Sequence, residues 1–176
     1  MIADVLALLA DLGLQQWIIT NAAVSLDINM PAGSVMLIKY HINFIGRNPL
    51  IGAHDEPYFP DMSNAYDART RGIVKDLAAG LNMSLFEGVY LFALGPNYET
   101  PSEVKLFKMF GADAVGMSTV PEVIAAVHKG LKVLAFSVIS NLGTGLTSEV
   151  QNHQDVLAQV EKSSKQLETL IKTYLQ

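Results

Sequence analysis

The acidic residue best placed for chemistry is Glu99, which follows Tyr98 in the segment Gly95–Thr100, directly after an apolar run. A carboxylate beside an aromatic ring can accept hydrogen bonds from the N–H groups of a flat heterocycle, and such charge-assisted bonds are strong. The alternative is that Glu99 is a capping acid for the helix predicted to start at Pro101. The local sequence leaves both interpretations open.

A second group of residues, Gly116, Met117 and Ser118, follows a short apolar strand. Glycine lets a planar ligand approach the backbone, methionine gives an adaptable apolar wall, and serine offers a hydroxyl. Ser118 or Thr119 could instead cap the helix after Pro121, and the two roles are compatible.

Two more polar side chains lie further along the chain. Asn141 ends a strongly apolar strand, and its carboxamide can donate and accept, which suits a lactam edge presenting C=O and N–H together; a turn-forming asparagine is the alternative. His153 opens the last predicted helix and could bind a ligand hydroxyl and exchange protons near neutral pH, or it could simply be exposed. His41 and His54 lack metal-ligand spacing, so no metal site is predicted.

Alternating strands and helices must position these groups. The pattern predicts an α/β domain over residues 1–176 with a mainly parallel, helix-covered sheet. Ligands bind at the carboxyl ends of strands in such sheets. The polar strand endings should therefore meet at one edge, and they are Asn21–Ala23, Tyr98–Glu99, Gly116–Ser118 and Ser140–Asn141. The predicted elements are an N-terminal helix ending at Gly13, strands Trp17–Thr20, Val35–Ile38, Val89–Leu94, Ala114–Met117 and Val133–Ile139, helices Asn64–Gly80, from Pro101, Glu122–His128 and Gln154–Tyr174, and a long loop Phe44–Met62.

The composition limits the classes of partner. Half of the 176 residues are hydrophobic, only 16% are charged, and the net charge is −5. No basic cluster indicates binding to nucleic acid or to an anionic membrane, and no apolar run is long enough to span a bilayer. The apolar composition favours an oligomer. The absence of cysteine excludes disulfides and thiolate chemistry and is compatible with the cytoplasm.

Several segments together resemble the trimeric purine nucleoside phosphorylases, in particular the bacterial enzymes that act on inosine, guanosine or xanthosine. The resemblance covers essentially the whole chain. The segments that carry it are Thr20–Ala23, His41–Asn43, Asn48–Gly52, Met62–Asp67, Gly95–Thr100, Gly111–Glu122 and the spacing from Asn141 to His153.

The resemblance implies a mixed, mostly parallel sheet of the nucleoside phosphorylase type and reversible phosphorolysis of 6-oxopurine nucleosides. The family uses inorganic phosphate as co-substrate and no metal or organic cofactor. A homotrimer in the cytoplasm is the implied setting. Carried onto this sequence, the resemblance assigns binding of the base to Glu99 and Asn141 and stacking to Tyr98. It assigns the base and ribose floor to Val115, Gly116 and Met117, with Ser118 beside them. Contacts with phosphate and sugar are assigned to the Ala22 backbone, and contact with the sugar 5′-hydroxyl to His153.

The sequence departs from the family pattern at three points. The Gly-rich phosphate loop and the Arg–His segment, which precede the first helix in the family, are not found here, so we expect an N-terminally truncated domain. Val24 and Ser25 stand where the family usually has Gly-Gly or Gly-Ser, and a β-branched residue there would narrow the pocket. Leu142 follows Asn141, where animal enzymes commonly have lysine.

Two alternatives to the phosphorylase hypothesis remain. One is a truncated relative without activity that binds purine or only oligomerises. The other is a methylthioadenosine phosphorylase, which typically has aspartate where Asn141 stands and is therefore disfavoured.

Overall fold

The computed structural model describes residues 2–52, 59–147 and 153–176, with side chains from residue 4 in the first helix and from residue 158 in the last. Helices and strands alternate along most of the chain. In order they are α1 (Ile2–Asp11), β1 (Gln16–Ser25), β2 (Val35–Asn43), α2 (Ala68–Gly80), β3 (Phe86–Phe92), α3 (Pro101–Met109), β4 (Ala114–Gly116), α4 (Val120–His128), β5 (Lys132–Leu142) and α5 (His153–Tyr174).

The five strands form one sheet in the order β1-β4-β3-β2-β5, which closes into a barrel because β5 returns to β1. The pairs β1–β5, β2–β3 and β3–β4 are parallel, whereas β1–β4 and β2–β5 are antiparallel. This arrangement confirms the predicted α/β class with a mixed, mostly parallel sheet.

Helices cover the sheet on two sides, and the alternation of side chains along β1 shows how. Trp17 and Ile19 pack into a cluster with residues of α1 and α4, whereas Ile18, between them, packs into a second cluster with α2 and α5. Successive residues of a strand point to opposite faces, so one apolar run serves both layers. Because both faces are covered, β5 is buried from Val133 to Ile139.

Strand β2 runs to Asn43 rather than to the predicted Ile38, and strands β1 and β5 are also longer than predicted. The segments Asn21–Ala23 and Ser140–Asn141, predicted to follow these strands, lie inside them. The reason is tertiary: β1 pairs with β5 along its whole length, with a register shift between Ala23 and Val24, after which β4 joins its other edge. Over residues 16–23 that other edge has no partner strand among the described residues.

Helix α2 begins later than predicted, at Ala68 rather than Asn64. The carboxylate of Asp67 accepts the backbone N–H of Thr70 at 2.8 Å and so caps the helix. The described parts of the predicted loop, residues 44–52 and 59–62, contain turns and no helix or strand. Among the described residues, no helix has the length and hydrophobicity needed to cross a bilayer.

Candidate functional site

One cavity of about 290 Å³ brings together seven of the nine predicted site residues. Strand β1, the β3–α3 loop and the segment from β4 to α4 each contribute to its wall, as does the end of β5. The predicted residues that line it are Ala22, Tyr98, Glu99, Val115, Gly116, Met117 and Ser118, and three others join them: Ala23, Val24 and Ser140. The strand endings therefore meet at one place.

The Glu99 carboxylate lies in the wall and does not cap the helix that follows. Thr100 is the cap of α3: its hydroxyl accepts the Glu103 N–H at 3.3 Å, and the Glu103 carboxylate accepts the Thr100 N–H at 2.7 Å. Glu99 is only 8% exposed. This burial, with a smaller contribution from the charge of Glu103, raises the pKa of the Glu99 carboxyl above its ordinary value. The acid is thus available to accept hydrogen bonds from a ligand.

The ring of Tyr98 stands at the rim of the cavity. It is 75% exposed, and its backbone carbonyl accepts a hydrogen bond of 3.0 Å from the Asn97 carboxamide. An exposed aromatic ring at the mouth of a cavity offers a surface on which a flat ligand can stack.

At two glycines in or beside the wall, the absence of a Cβ atom lets another side chain pack closely against the backbone. A Cβ atom at Gly95 would lie 2.2 Å from the Met117 sulfur, and one at Gly116 would lie 2.2 Å from the Tyr90 hydroxyl. Gly95 also has a φ of +67°, a conformation that other residues rarely adopt. The position of Met117 over the cavity therefore depends on a glycine in the facing loop.

Ser118 and Thr119 form an unusual turn where β4 passes into α4. Thr119 has a φ of +75°, and the Val120 N–H donates to the Ser118 carbonyl at 2.8 Å, which describes a γ-turn centred on Thr119. The Thr119 side chain forms no capping hydrogen bond to the helix. Its hydroxyl accepts instead a hydrogen bond of 2.8 Å from the Asn21 carboxamide of β1.

Val24 occupies the wall, where the family pattern has a small residue. It is 9% exposed, pairs with Val115 of β4 and packs into the cluster that contains Leu26 and Phe107. Its side chain is therefore part of the core as well as of the cavity wall. That it narrows the pocket stays a prediction.

Asn141 is not among the residues that line the cavity, although its neighbour Ser140 is. The Asn141 carboxamide accepts from the Ser140 hydroxyl at 2.7 Å and donates to the Leu142 carbonyl at 3.0 Å. His153 is the first residue of α5, and its side chain lies outside the described residues. The roles assigned to Asn141 and His153 remain predictions.

Some members of this site have no role assigned from the sequence. Ser140, which lines the cavity, was predicted only as part of a polar strand ending beside Asn141. Tyr90, whose hydroxyl accepts the Ser118 N–H at 3.4 Å, looks in sequence like an ordinary core aromatic of a strand. The contact between Asn21 and Thr119 joins residues 98 positions apart, and no local pattern could have indicated it.

A larger cavity, about 600 Å³, lies between β1 and α5 and meets the first at Ala22, which lines both. Half of its lining residues are aliphatic, among them Val138, Val160 and Leu167, and the other half are polar or charged. We place the candidate site in the smaller cavity because the buried carboxylate, the exposed ring and the glycine-backed wall are there. No cluster of side chains suited to holding a metal ion is present in the described part of the chain.

Comparison with known proteins identifies the family of this chain. The family model described as the phosphorylase superfamily matches residues 2–176. Purine nucleoside phosphorylase 1 of Geobacillus stearothermophilus is 46% identical over 154 residues, which cover 86% of this chain and 56% of the relative. The purine nucleoside phosphorylase of Mus musculus is 44% identical over 170 residues, which cover 91% of this chain and 59% of the relative.

Solved structures give the same result for the fold. A Schistosoma mansoni purine nucleoside phosphorylase, isoform 2, in complex with cytosine and ribose-1-phosphate, superposes with a TM-score of 0.90 at 39% identity and covers 98% of this chain and 64% of that one. The inosine complex of a Schistosoma mansoni purine nucleoside phosphorylase has a TM-score of 0.90 at 31% identity. This chain spans less than two thirds of the length of these relatives. With the family model matched from residue 2 to residue 176, the chain belongs to the phosphorylase superfamily.

Proposed function

We propose that this chain carries the purine-binding part of a purine nucleoside phosphorylase, which cleaves 6-oxopurine ribonucleosides or deoxyribonucleosides with phosphate to the free base and the pentose 1-phosphate. The observation that carries the proposal is the cavity in which Glu99, Tyr98 and Met117 meet the backbone of β1 at Ala22. Its volume, about 290 Å³, lies at the lower end of the range for small-molecule pockets. Relatives of that name, 40–46% identical to it, support the assignment.

The side chains around the cavity match the parts of a purine. Tyr98 and Met117 both line the cavity, so they supply apolar surfaces against which a flat ring can pack. Glu99 supplies an acceptor for ring N–H groups and fixes the orientation of the base. Inorganic phosphate is the co-substrate in this proposal, and no metal or organic cofactor takes part.

In the transition state, charge develops on both parts of the nucleoside as the glycosidic bond breaks. The sugar becomes cationic and the purine gains negative charge, so a donor beside the base stabilises the transition state where that charge develops. Asn141 is our candidate donor. One of its two N–H bonds is used by the Leu142 carbonyl, which leaves the other for the base. Phosphate attacks the sugar and offsets its positive charge, and His153 binds the sugar 5′-hydroxyl.

A homotrimer in the cytoplasm belongs to the same proposal. The loop after β2 supports self-association because it presents Ile51, 81% exposed, and Phe59, 95% exposed. Large apolar side chains that protrude in this way are typical of subunit interfaces. Light scattering of the purified chain measures its mass directly, and a monomer at micromolar concentration would contradict the trimer.

A purine-binding relative without catalysis is the second candidate, favoured by Val24 in the wall. It predicts purine binding that does not respond to phosphate. Methylthioadenosine phosphorylase is a third, weaker candidate, and a preference for 6-amino over 6-oxo nucleosides would favour it.

The deciding experiment measures hypoxanthine release from inosine by the purified chain, with and without phosphate, beside calorimetric titration with hypoxanthine. Phosphate-dependent release, abolished in Asn141→Ala, supports the enzyme. Binding of hypoxanthine without release supports the second candidate. A folded chain that neither binds hypoxanthine nor releases it overturns both.

A further inference from the structure

The left-handed turn at Thr119 needs an explanation, because threonine is poorly suited to it. A β-branched residue with φ of +75° is a conformational outlier, and the γ-turn that it forms is rare and strained. Such a residue persists only where surrounding contacts hold it in place. Thr119 is 1% exposed, so those contacts are within the protein.

Two side chains from other strands reach this turn: Asn21 of β1, which bonds to the Thr119 hydroxyl, and Tyr90 of β3, whose hydroxyl accepts the Ser118 N–H at 3.4 Å. The Asn21 carboxamide donates to the Thr119 hydroxyl at 2.8 Å and so ties the middle of β1 to the start of α4. The side-chain oxygen of Asn21, Oδ1, is buried without a hydrogen-bond partner in the described part of the structure. A side chain kept in place at that cost is typical of one with a specific structural task.

The segment held by this bond carries two residues of the cavity wall. Ser118 precedes Thr119 directly, and its hydroxyl lies 3.3 Å from the Thr119 hydroxyl. Met117 precedes Ser118 and packs against Gly95 across the cavity. Rotation of Thr119 out of the left-handed region would therefore move both residues relative to Glu99.

We propose that Asn21 is a positioning residue for the candidate purine site: through its hydrogen bond to Thr119 it holds the turn that sets Ser118 and Met117 against the ligand. Asn21 itself does not line that cavity, so it acts through Thr119. The inference rests on the proposed function for its ligand, and the conformation of the turn can be measured without any ligand.

The test uses the whole chain labelled at its methionine methyl groups, with the Met117 resonance assigned from the spectrum of Met117→Leu. In the ligand-free protein, Asn21→Ala moves the Met117 resonance. Asn29→Ala is the matched control, because it removes an exposed carboxamide bonded to Asp27 at 3.2 Å, away from the cavity lining. Thr119→Val removes the same bond from its other end with little change of shape, and Thr119→Ser keeps the hydroxyl.

We expect Asn21→Ala and Thr119→Val each to lower hypoxanthine affinity about 3- to 10-fold, the range for one side-chain hydrogen bond. The double variant should show no larger loss than Thr119→Val alone, because in that background Asn21 has no hydroxyl left to bond. Asn29→Ala and Thr119→Ser should bind hypoxanthine as the wild type does.

An unmoved Met117 resonance in Thr119→Val overturns the proposal, as do fully additive losses of affinity in the double variant. A loss of thermal stability with unchanged affinity in the folded protein overturns it too, because a purely structural role predicts that result. If the wild-type chain binds no hypoxanthine, the proposed function fails while the Met117 resonance still decides whether Asn21 holds the turn. If Asn21→Ala does not fold, Thr119→Val and Thr119→Ser carry the test.

Discussion

Helices α3 and α4 begin with almost the same residue types, but the hydrogen bonds of their N-cap threonines differ. Each has threonine at its N-cap, proline in its first turn and glutamate three positions after the threonine. In α3, Thr100 and Glu103 form a complete capping box. In α4, the Thr119 hydroxyl is bonded to Asn21 of another strand, and Oε2 of Glu122 is buried without a partner in the described structure.

The difference shows where the needs of the site, and not the local capping pattern, determine how a helix starts. The residue before each cap, Glu99 in one case and Ser118 in the other, lines the cavity. Beside α3, the helix start is self-sufficient and Glu99 is left free for a ligand. Beside α4, the helix start is shaped by a distant strand, which is expected where a wall must be held in one conformation.

The largest effect is expected at Gly116, on the α4 side. Gly116→Ala would place a Cβ atom 2.2 Å from the Tyr90 hydroxyl, and overpacking of this kind costs about 1–3 kcal/mol of unfolding free energy. Urea denaturation measures the loss, and adding Tyr90→Phe should recover part of it. Gly72→Ala, in helix α2 with no atom within 4 Å of the new Cβ, is the control and should not destabilise the chain.

The next largest effect is on hypoxanthine affinity, in variants of Glu99 and Ser118, the residues that precede the two N-caps. Glu99→Ala should lower hypoxanthine affinity about 10- to 100-fold, because hydrogen bonds to a charged group contribute more than neutral ones. Ser118→Ala should lower it less than tenfold. Calorimetry compares the two variants, and circular dichroism checks that each is folded. Equal losses would contradict the division of roles between the two loops.

The difference in capping can be tested by replacing the first-turn glutamate of each helix with alanine. Glu103→Ala removes half of a capping box and an acid from the first turn of α3, so we expect a loss of about 1 kcal/mol in stability. Glu122→Ala removes an acid with an unpartnered buried oxygen and should change stability by less than about 0.5 kcal/mol. Thermal melts of both variants are the measurement, and a reversed order would refute the comparison.

The smallest expected effect is a pH dependence of hypoxanthine affinity, which we expect from Glu99, beside α3, and not from Ser118, beside α4. The raised pKa of Glu99 means that its carboxylate takes up a proton at a higher pH than an ordinary glutamate does. If the ionised form accepts the ligand N–H groups, hypoxanthine affinity falls by a few-fold as the pH is lowered from 7 to 5. Glu99→Gln should be weaker throughout and should lack this slope, whereas Ser118→Ala should keep it.

The sequence was most informative where a feature is local. The segments Gly95–Thr100 and Gly116–Ser118 carry their own turn residues and helix starts, so their place beside a cavity could be predicted. The ends of β1 and β5 could not, because Asn21–Ala23 is polar and small enough to suggest a turn, and only pairing with β5 and β4 makes it a strand. The orientation of Asn141 likewise depends on its neighbours Ser140 and Leu142.

The long parallel pairing of β1 with β5 also affects how the chain folds during its synthesis. Each residue of β1 meets a partner more than one hundred positions later in the chain, from Gln16 opposite Lys132 to Ser25 opposite Leu142. At about 5–20 residues per second, a ribosome needs several seconds to synthesise the stretch between them. Throughout that interval the most apolar part of β1, Trp17–Ile19, lacks β5, the strand with which it pairs. The nascent chain is therefore most vulnerable to misassociation before β5 emerges, and contacts so distant in sequence also make folding slow.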